Sequence, residues 1–160
     1  MRSLVVYYSL TGKTKLVAQA IAEALSATLV EIMETKPRKL GPLIYLIGGF
    51  GAMTNRRSKI TPLDVDLKQY ERIFVGSPIW ASRPVPAVNS FVYRADLAGR
   101  NVIPFFSMGG DTAEKALANV TAKIERRQGN VAGSLAITSY GVSDDEIISK
   151  TKDAIQQYSR

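Results

Sequence analysis

Two amino-acid types that carry much of enzyme chemistry, cysteine and histidine, are absent from this 160-residue chain. Without cysteine there are no disulfides, thiolate nucleophiles or thiolate metal ligands. Without histidine there are no imidazole bases and no imidazole metal ligands. The chain therefore lacks the side chains of a Ser-His or Cys-His catalytic pair, and we expect its chemistry to come from a bound cofactor.

Long apolar runs are also missing, and no export signal is expected. The longest apolar stretch, residues 43–53, is interrupted by glycines, and it is well short of the roughly 20 residues that a membrane-spanning helix needs. The chain enters a strand-like pattern close to its N-terminus, so we expect no signal peptide. We expect a cytoplasmic protein with no membrane span.

The residues that are present predict one basic globular domain, residues 1–160. Hydrophobic residues make up 46% of the chain, enough for one compact core. Lysine and arginine number 21 against 14 acidic residues, a net charge of +7, so the surface attracts anions. Basic residues are densest at 36–39, 56–59 and 123–127, where they either bind anions or form solvated faces.

A hydroxyl-rich turn, Ser9–Thr14, follows the apolar run Leu4–Tyr8 and leads directly into a helical pattern. The first amides of a helix have no internal partner and lie at the positive end of its dipole, so an anion there gains hydrogen bonds and favourable charge. Gly12 lets the backbone approach a ligand. Hydroxyl donors are supplied by Ser9, Thr11 and Thr14. The turn predicts a site for one phosphate group, although such residues also cap helices without a ligand.

The same turn partly matches the Walker A motif of nucleotide hydrolases. Gly12–Thr14 reproduces the last three positions of the motif, but Tyr7 stands where its first glycine should be. A phosphohydrolase also needs an aspartate at the end of a neighbouring strand, where Ser77 and Ser107 stand instead. A nucleotide phosphohydrolase therefore stays as an alternative that the sequence disfavours.

Apolar runs alternate with amphipathic stretches along the whole chain. The pattern predicts strands at 4–8, 28–33, 72–76, 101–106 and 131–138, with helices between them and a last helix that starts near residue 144. The first helix is expected to bury Leu16, Val17, Ala20, Ile21, Ala24 and Leu25. Continuous apolar strands separated by helices indicate a parallel sheet covered on both faces. The predicted fold class is α/β: a three-layer α/β/α sandwich around a doubly wound, five-stranded parallel sheet. If the strand order is 2-1-3-4-5, the first and third strands are neighbours at the point where the order reverses.

Three loops are expected to meet at one edge of this sheet, because ligands of such folds bind beyond the carboxyl ends of the strands. They are Ser9–Thr14, Ser77–Pro86 and Ser107–Thr112. The second loop holds three prolines and the only tryptophan, Trp80, which either stacks on a planar ring or belongs to the core. The third offers paired glycines with free amides, or simply the cap of the next helix.

With these loops in view, the chain resembles the flavodoxin family. Ser9–Thr14 is similar to the family's hydroxyl-rich T/S-x-T-G-x-T phosphate signature. Val75–Trp80 resembles the G-S/T-P-hydrophobic-W/Y flavin loop of flavodoxin-like oxidoreductases. The order of elements matches over nearly the whole chain. The resemblance implies a flavodoxin-like fold and a non-covalent FMN through which electrons move, in an oxidoreductase or an electron carrier.

The resemblance also implies roles for individual residues. The FMN phosphate would be held by Ser9, Thr11, Gly12, Lys13 and Thr14. The isoalloxazine ring would be bordered by Pro78, Ile79, Trp80 and Ala81. The pyrimidine edge of the ring would meet backbone amides of Ser107, Met108, Gly109, Gly110 and Asp111. No catalytic side chain and no metal ligand is implied.

Two features depart from the electron-carrying members of the family. Those members are typically acidic, whereas this chain is basic. We therefore expect an anionic partner, either NAD(P)H or an acidic redox protein, received by Arg83 and Arg56-Arg57. The glycine-rich segment 36–60 replaces the helix between strands two and three, as a flap, a dimer contact or a short buried helix. The protein is either a monomer or a homodimer.

A basic nucleic-acid-binding module is the remaining alternative, because positive charge alone suits it. The aromatic residues are not interleaved with the basic clusters, so no nucleic-acid partner is expected.

Overall fold

A computed structural model describes residues 1–38, 41, 55–110 and 112–159 of the chain. Its strands are β1 Ser3–Tyr7, β2 Thr28–Glu31, β3 Arg72–Trp80, β4 Arg83–Pro84, β5 Asn101–Met108, β6 Asn130–Val131 and β7 Leu135–Thr138. Its helices are α1 Lys13–Leu25, α2 Pro86–Arg94, α3 Glu114–Arg126 and α4 Asp144–Ile155, with short 3-10 helices at Leu67–Gln69 and Gln156–Tyr158. The predicted segment 36–60 lies largely outside the described residues, as does Asp111.

The strands form one sheet in the order β2-β1-β3-β5, and both β6 and β7 pair with β5. All of these pairings are parallel, and only the short β4 runs antiparallel, to β3. The predicted order 2-1-3-4-5 is confirmed, with β6 and β7 together as its fifth strand. The expectation of one unbroken strand at 131–138 is wrong. Gly133 has a φ of 143°, and the space where its Cβ would stand is filled by the Tyr158 hydroxyl, so the chain kinks there.

Helices cover both faces of the sheet, as the apolar strands predict. α1 and α4 pack on one face through Val17, Ile21 and Ile147, while α2 and α3 pack on the other. The predicted inward face of α1 is wrong at Ala24, which is exposed, and it leaves out Ala18, which is buried. In the part of the chain that is described, no helix is both long and apolar enough to cross a membrane.

The register of the central strands explains why a glycine stands at position 76. Gly76 of β3 lies beside Phe105 of β5, and a Cβ at Gly76 would overlap the Phe105 ring. The ring is fully buried between the sheet and the helices, so it has no free space to move into. The Phe105 ring therefore occupies the space that a side chain at position 76 would fill.

Replacing Gly76 with alanine tests this packing. We expect Gly76→Ala to lower the free energy of unfolding by about 1–3 kcal/mol, because the new methyl group overpacks a closed core. Urea denaturation followed by circular dichroism measures the change. Gly110→Ala is the matched control, since open space surrounds that position. Equal stability of the two variants would contradict the packing argument.

Candidate functional site

The turn between β1 and α1 has the backbone geometry of an anion site. Gly12 is in the left-handed region with φ at 96°, and nothing lies within 4 Å of the position of its missing Cβ. The Ser9 hydroxyl accepts the Gly12 amide hydrogen bond at 3.0 Å, which closes the turn. No side chain caps α1, and no acidic residue lies in its first turn. Among the described residues no side-chain acceptor therefore competes for its first amides, which suits them to an anion.

Thr14 and Ser107 join this turn to the end of β5. Their hydroxyl oxygens are 2.6 Å apart, and the residues are only 2% and 4% exposed. The role of Thr14 as a direct phosphate ligand stays a prediction, and its hydroxyl already has one hydrogen-bond partner within the protein.

Lys13 has a charged partner within the protein. Its ammonium is 2.8 Å from Asp144 Oδ1 at the start of α4, so its charge is partly neutralised. The other groups of the turn that face the cleft are then uncharged amides and hydroxyls.

The second loop is a hairpin rather than the proline-rich turn that the sequence indicates. β3 continues through Trp80, and Ala81 and Ser82 turn the chain with positive φ values of 48° and 60°. β4 then pairs back, Trp80 opposite Arg83. Two consecutive left-handed residues are the geometry of a two-residue hairpin. Prolines are tolerated at such a sheet edge, which is why the pattern concealed the strand.

Trp80 is held by two neighbours at the mouth of this hairpin. The Tyr8 ring meets it edge-on, with centroids 6.2 Å apart, and the Arg38 guanidinium lies 5.4 Å from its ring centroid. Glu34 in turn accepts a hydrogen bond from Arg38 Nε at 3.0 Å. Trp80 therefore has a fixed orientation and still lines the cleft described next.

These loops surround a cleft of about 690 Å³ at the carboxyl ends of the strands, called here the carboxyl-edge cleft. Ten predicted site residues line it: Thr11, Lys13, Thr14, Pro78, Ile79, Trp80, Ala81, Ser107, Met108 and Gly109. Three predicted residues lie in the same loops without lining it: Ser9, Gly12 and Gly110. Asp111 is outside the described residues.

The sequence analysis missed a fourth loop, Ser139–Val142, which also lines the cleft. Tyr140 is 83% exposed, and its Cβ lies 3.5 Å from the position that a Cβ on Gly109 would occupy. The Ser139 amide donates to the Met108 carbonyl at 2.9 Å, which fixes this loop to the end of β5. The sequence could have indicated this loop, because the loop after the fifth parallel strand must open at the same edge of the sheet.

The fold and this cleft define a class: doubly wound α/β proteins with a ligand cleft beyond the carboxyl ends of a parallel sheet. The Flavodoxin family model matches residues 2–138 of the chain. The chain belongs to the flavodoxin family. No curated protein matches it significantly.

Solved structures show the same fold. A protein of Bacteroides uniformis ATCC 8492, provisionally assigned as a flavoprotein, is 25% identical with a TM-score of 0.79 over 94% of this chain and 97% of its own. The flavoprotein of Lactobacillus acidophilus NCFM, solved in complex with FMN, is 21% identical with a TM-score of 0.74 over 93% and 97%. Flavodoxin 2 of Bacillus cereus is 19% identical with a TM-score of 0.58 over 99% of each chain.

The bond between Thr14 and Ser107 predicts coupled stabilities. We expect Thr14→Val and Ser107→Ala each to lower the free energy of unfolding by about 1–3 kcal/mol, because each leaves a buried hydroxyl without its partner. The double variant should lose less than the sum of the two, since neither hydroxyl then remains. Urea denaturation of the four proteins measures this coupling, and strictly additive losses would contradict it.

Proposed function

We propose that the chain binds FMN non-covalently in the carboxyl-edge cleft and moves electrons through it, as an oxidoreductase or an electron carrier. The observation that carries this proposal is that the uncapped start of α1 opens onto the same cleft as two aromatic side chains, Trp80 and Tyr140. A phosphate site thus adjoins a site for a planar ring, as a phosphorylated flavin requires. The flavoprotein of similar fold from Lactobacillus acidophilus supports the choice, because it was solved in complex with FMN.

The phosphate end would lie over the first turn of α1. Thr11 is exposed and lines the cleft, and Gly12 leaves the approach open. The nearby cation, Lys13, is engaged by Asp144. Backbone amides, the helix dipole and hydroxyls would therefore carry most of the phosphate binding.

The ring end would lie between the loops that follow β3, β5 and β7. Trp80 offers an aromatic surface held by Tyr8 and Arg38, and Tyr140 offers a second that is almost fully exposed. An aromatic contact of this kind adds about 0.5–1.5 kcal/mol beyond the burial of area. Backbone amides around Gly109 are available for the polar edge of the ring.

Bound FMN would supply electron or hydride transfer at its ring, a chemistry that belongs to the cofactor and not to the side chains of this chain. The residues of this chain would bind the flavin, orient it and limit the access of water. The phosphohydrolase alternative is disfavoured by the cleft, because none of its described lining residues is an aspartate or glutamate that could hold Mg²⁺.

The net charge of +7 supports an anionic electron donor, either NAD(P)H or an acidic redox protein. Arg83 lies on β4, directly opposite Trp80, so a positive charge stands at the rim of the cleft. Complementary charge at this rim would speed the encounter with such a donor.

A charge placed in the phosphate turn tests where FMN lies. We expect Thr11→Glu to weaken FMN binding by about 10-fold or more, because the carboxylate repels the phosphate dianion. Binding of riboflavin, which has no phosphate, should change little. Quenching of flavin fluorescence during titration of the apoprotein measures both. Gln19→Glu adds the same charge to an exposed position further along α1 and serves as control. Absence of FMN binding to the unmodified protein would reject the proposed function.

Removing the exposed aromatic side chain of the fourth loop should affect the binding of FMN and of riboflavin equally. We expect Tyr140→Ala to weaken FMN and riboflavin alike, by about 3- to 10-fold, because the contact is with the ring both share. The same titration measures it. Leu29→Ala removes an exposed apolar side chain of β2 that lies outside the cleft, and it should leave both affinities unchanged. If only FMN were weakened by Tyr140→Ala, the ring would not be where we place it.

A further inference from the structure

A second concave site lies on the outer side of the helices, away from the carboxyl-edge cleft. It is a cleft of about 380 Å³ between α2 and α3, called here the basic cleft. Its lining residues include four cationic side chains, Arg57, Lys123, Arg126 and Arg127, and no carboxylate among those described. Across residues 1–38, 41, 55–110 and 112–159, none of these four cations forms an ion pair. The positive charge of this cleft is thus not balanced by a described neighbour.

The environment of Lys123 disfavours its positive charge. Its side chain is partly buried, and its ammonium donates to three neutral amide oxygens, those of Asn119 at 2.5 Å, Asn89 at 2.6 Å and Asn55 at 3.2 Å. Burial, together with the charges of Arg83 and Arg126, lowers the pKa of Lys123 to about 8. A buried cation without an anionic partner is unfavourable, and an anion in the cleft would relieve this cost.

Arg57 and Tyr93 form a flat surface beside these charges. The Arg57 guanidinium lies 3.7 Å from the centroid of the Tyr93 ring, and that tyrosine is 59% exposed. Stacking on the ring orients the guanidinium, whose planar fork of N–H donors has the geometry that binds a phosphate. The exposed ring offers an aromatic surface for a base.

We propose that the basic cleft binds a phosphorylated nucleotide, with its phosphate among the guanidinium groups of Arg57, Arg126 and Arg127. Guanidinium groups bind phosphate with paired hydrogen bonds. A cluster of them suits a phosphate dianion better than a carboxylate, which carries only one negative charge. The concave shape and its volume suit a small molecule, whereas an acidic protein would need a broad, flat patch.

One residue of the basic cleft, Asn55, also contacts the hairpin beside the carboxyl-edge cleft. Asn55 accepts hydrogen bonds from Lys123 of the basic cleft and from Arg83, which lies opposite Trp80. A nucleotide electron donor could therefore be held here by its phosphate. That role as donor rests on the proposed flavin function, whereas the binding of a nucleotide does not.

Calorimetric titration of the FMN-free protein with adenosine 2′,5′-bisphosphate tests the site, at about 0.15 M salt so that weak surface attraction is screened. We expect measurable binding that is at least 10-fold tighter than that of adenosine or inorganic phosphate alone. Arg57→Gln and Arg126→Gln should each weaken it about 10-fold. Arg2→Gln is the matched control, because Arg2 also stacks on a tyrosine, Tyr70, outside this cleft.

Thr11→Glu separates this site from the proposed FMN site. That variant should bind the nucleotide as the unmodified protein does, so a failure of FMN binding and a failure of this site would be seen independently. The proposal is overturned if the nucleotide does not bind, if Arg57→Gln and Arg126→Gln bind it normally, or if Thr11→Glu abolishes its binding. Equally tight binding of a poly-glutamate peptide would also overturn it and point to an acidic protein surface.

Discussion

The structure depends on the parallel pairing of three central strands in one register. Tyr7 of β1 lies beside Gly76 of β3, and Gly76 lies beside Phe105 of β5, so the three strands run side by side toward the same edge. β7 joins them through Phe105 and Leu135. Because the strands are parallel, every loop that follows one of them opens at that edge. The carboxyl-edge cleft is a direct consequence, and the Thr14–Ser107 bond ties two of its loops together.

Charge is distributed unevenly between the two clefts. At the carboxyl edge the nearest cation, Lys13, is paired with Asp144, and neutral amides face the cleft. Between α2 and α3, Lys123 donates to neutral asparagine oxygens, and three arginines line the same cleft without a described carboxylate. An anion at the first position would be bound mainly by hydrogen bonds and the dipole of α1, and at the second mainly by full positive charges. The two sites should therefore differ in their sensitivity to salt.

Much of the fold could be predicted from the sequence, because buried parallel strands are apolar throughout and alternate with helices, although this alternation alone leaves the order of the strands in the sheet open. The errors have local physical causes. The hairpin through Ala81 and Ser82 uses left-handed residues other than glycine, and the kink at Gly133 depends on the distant Tyr158.

Candidate site residues can be predicted where hydroxyls and glycines follow a strand. The Tyr140 loop was missed because no motif marks it, and the basic cleft because it is assembled from three distant segments.

The central claim is that a flavin phosphate and its ring share the edge where the parallel strands end. Amide chemical shifts of ¹⁵N-labelled protein, recorded during titration with FMN, test it most directly. The account predicts that the shifted amides are concentrated in the loops after β1, β3, β5 and β7, with the largest changes at the start of α1. Shifts confined to residues 55–57, 89–93 and 123–127, or no shifts at saturating FMN, would contradict it.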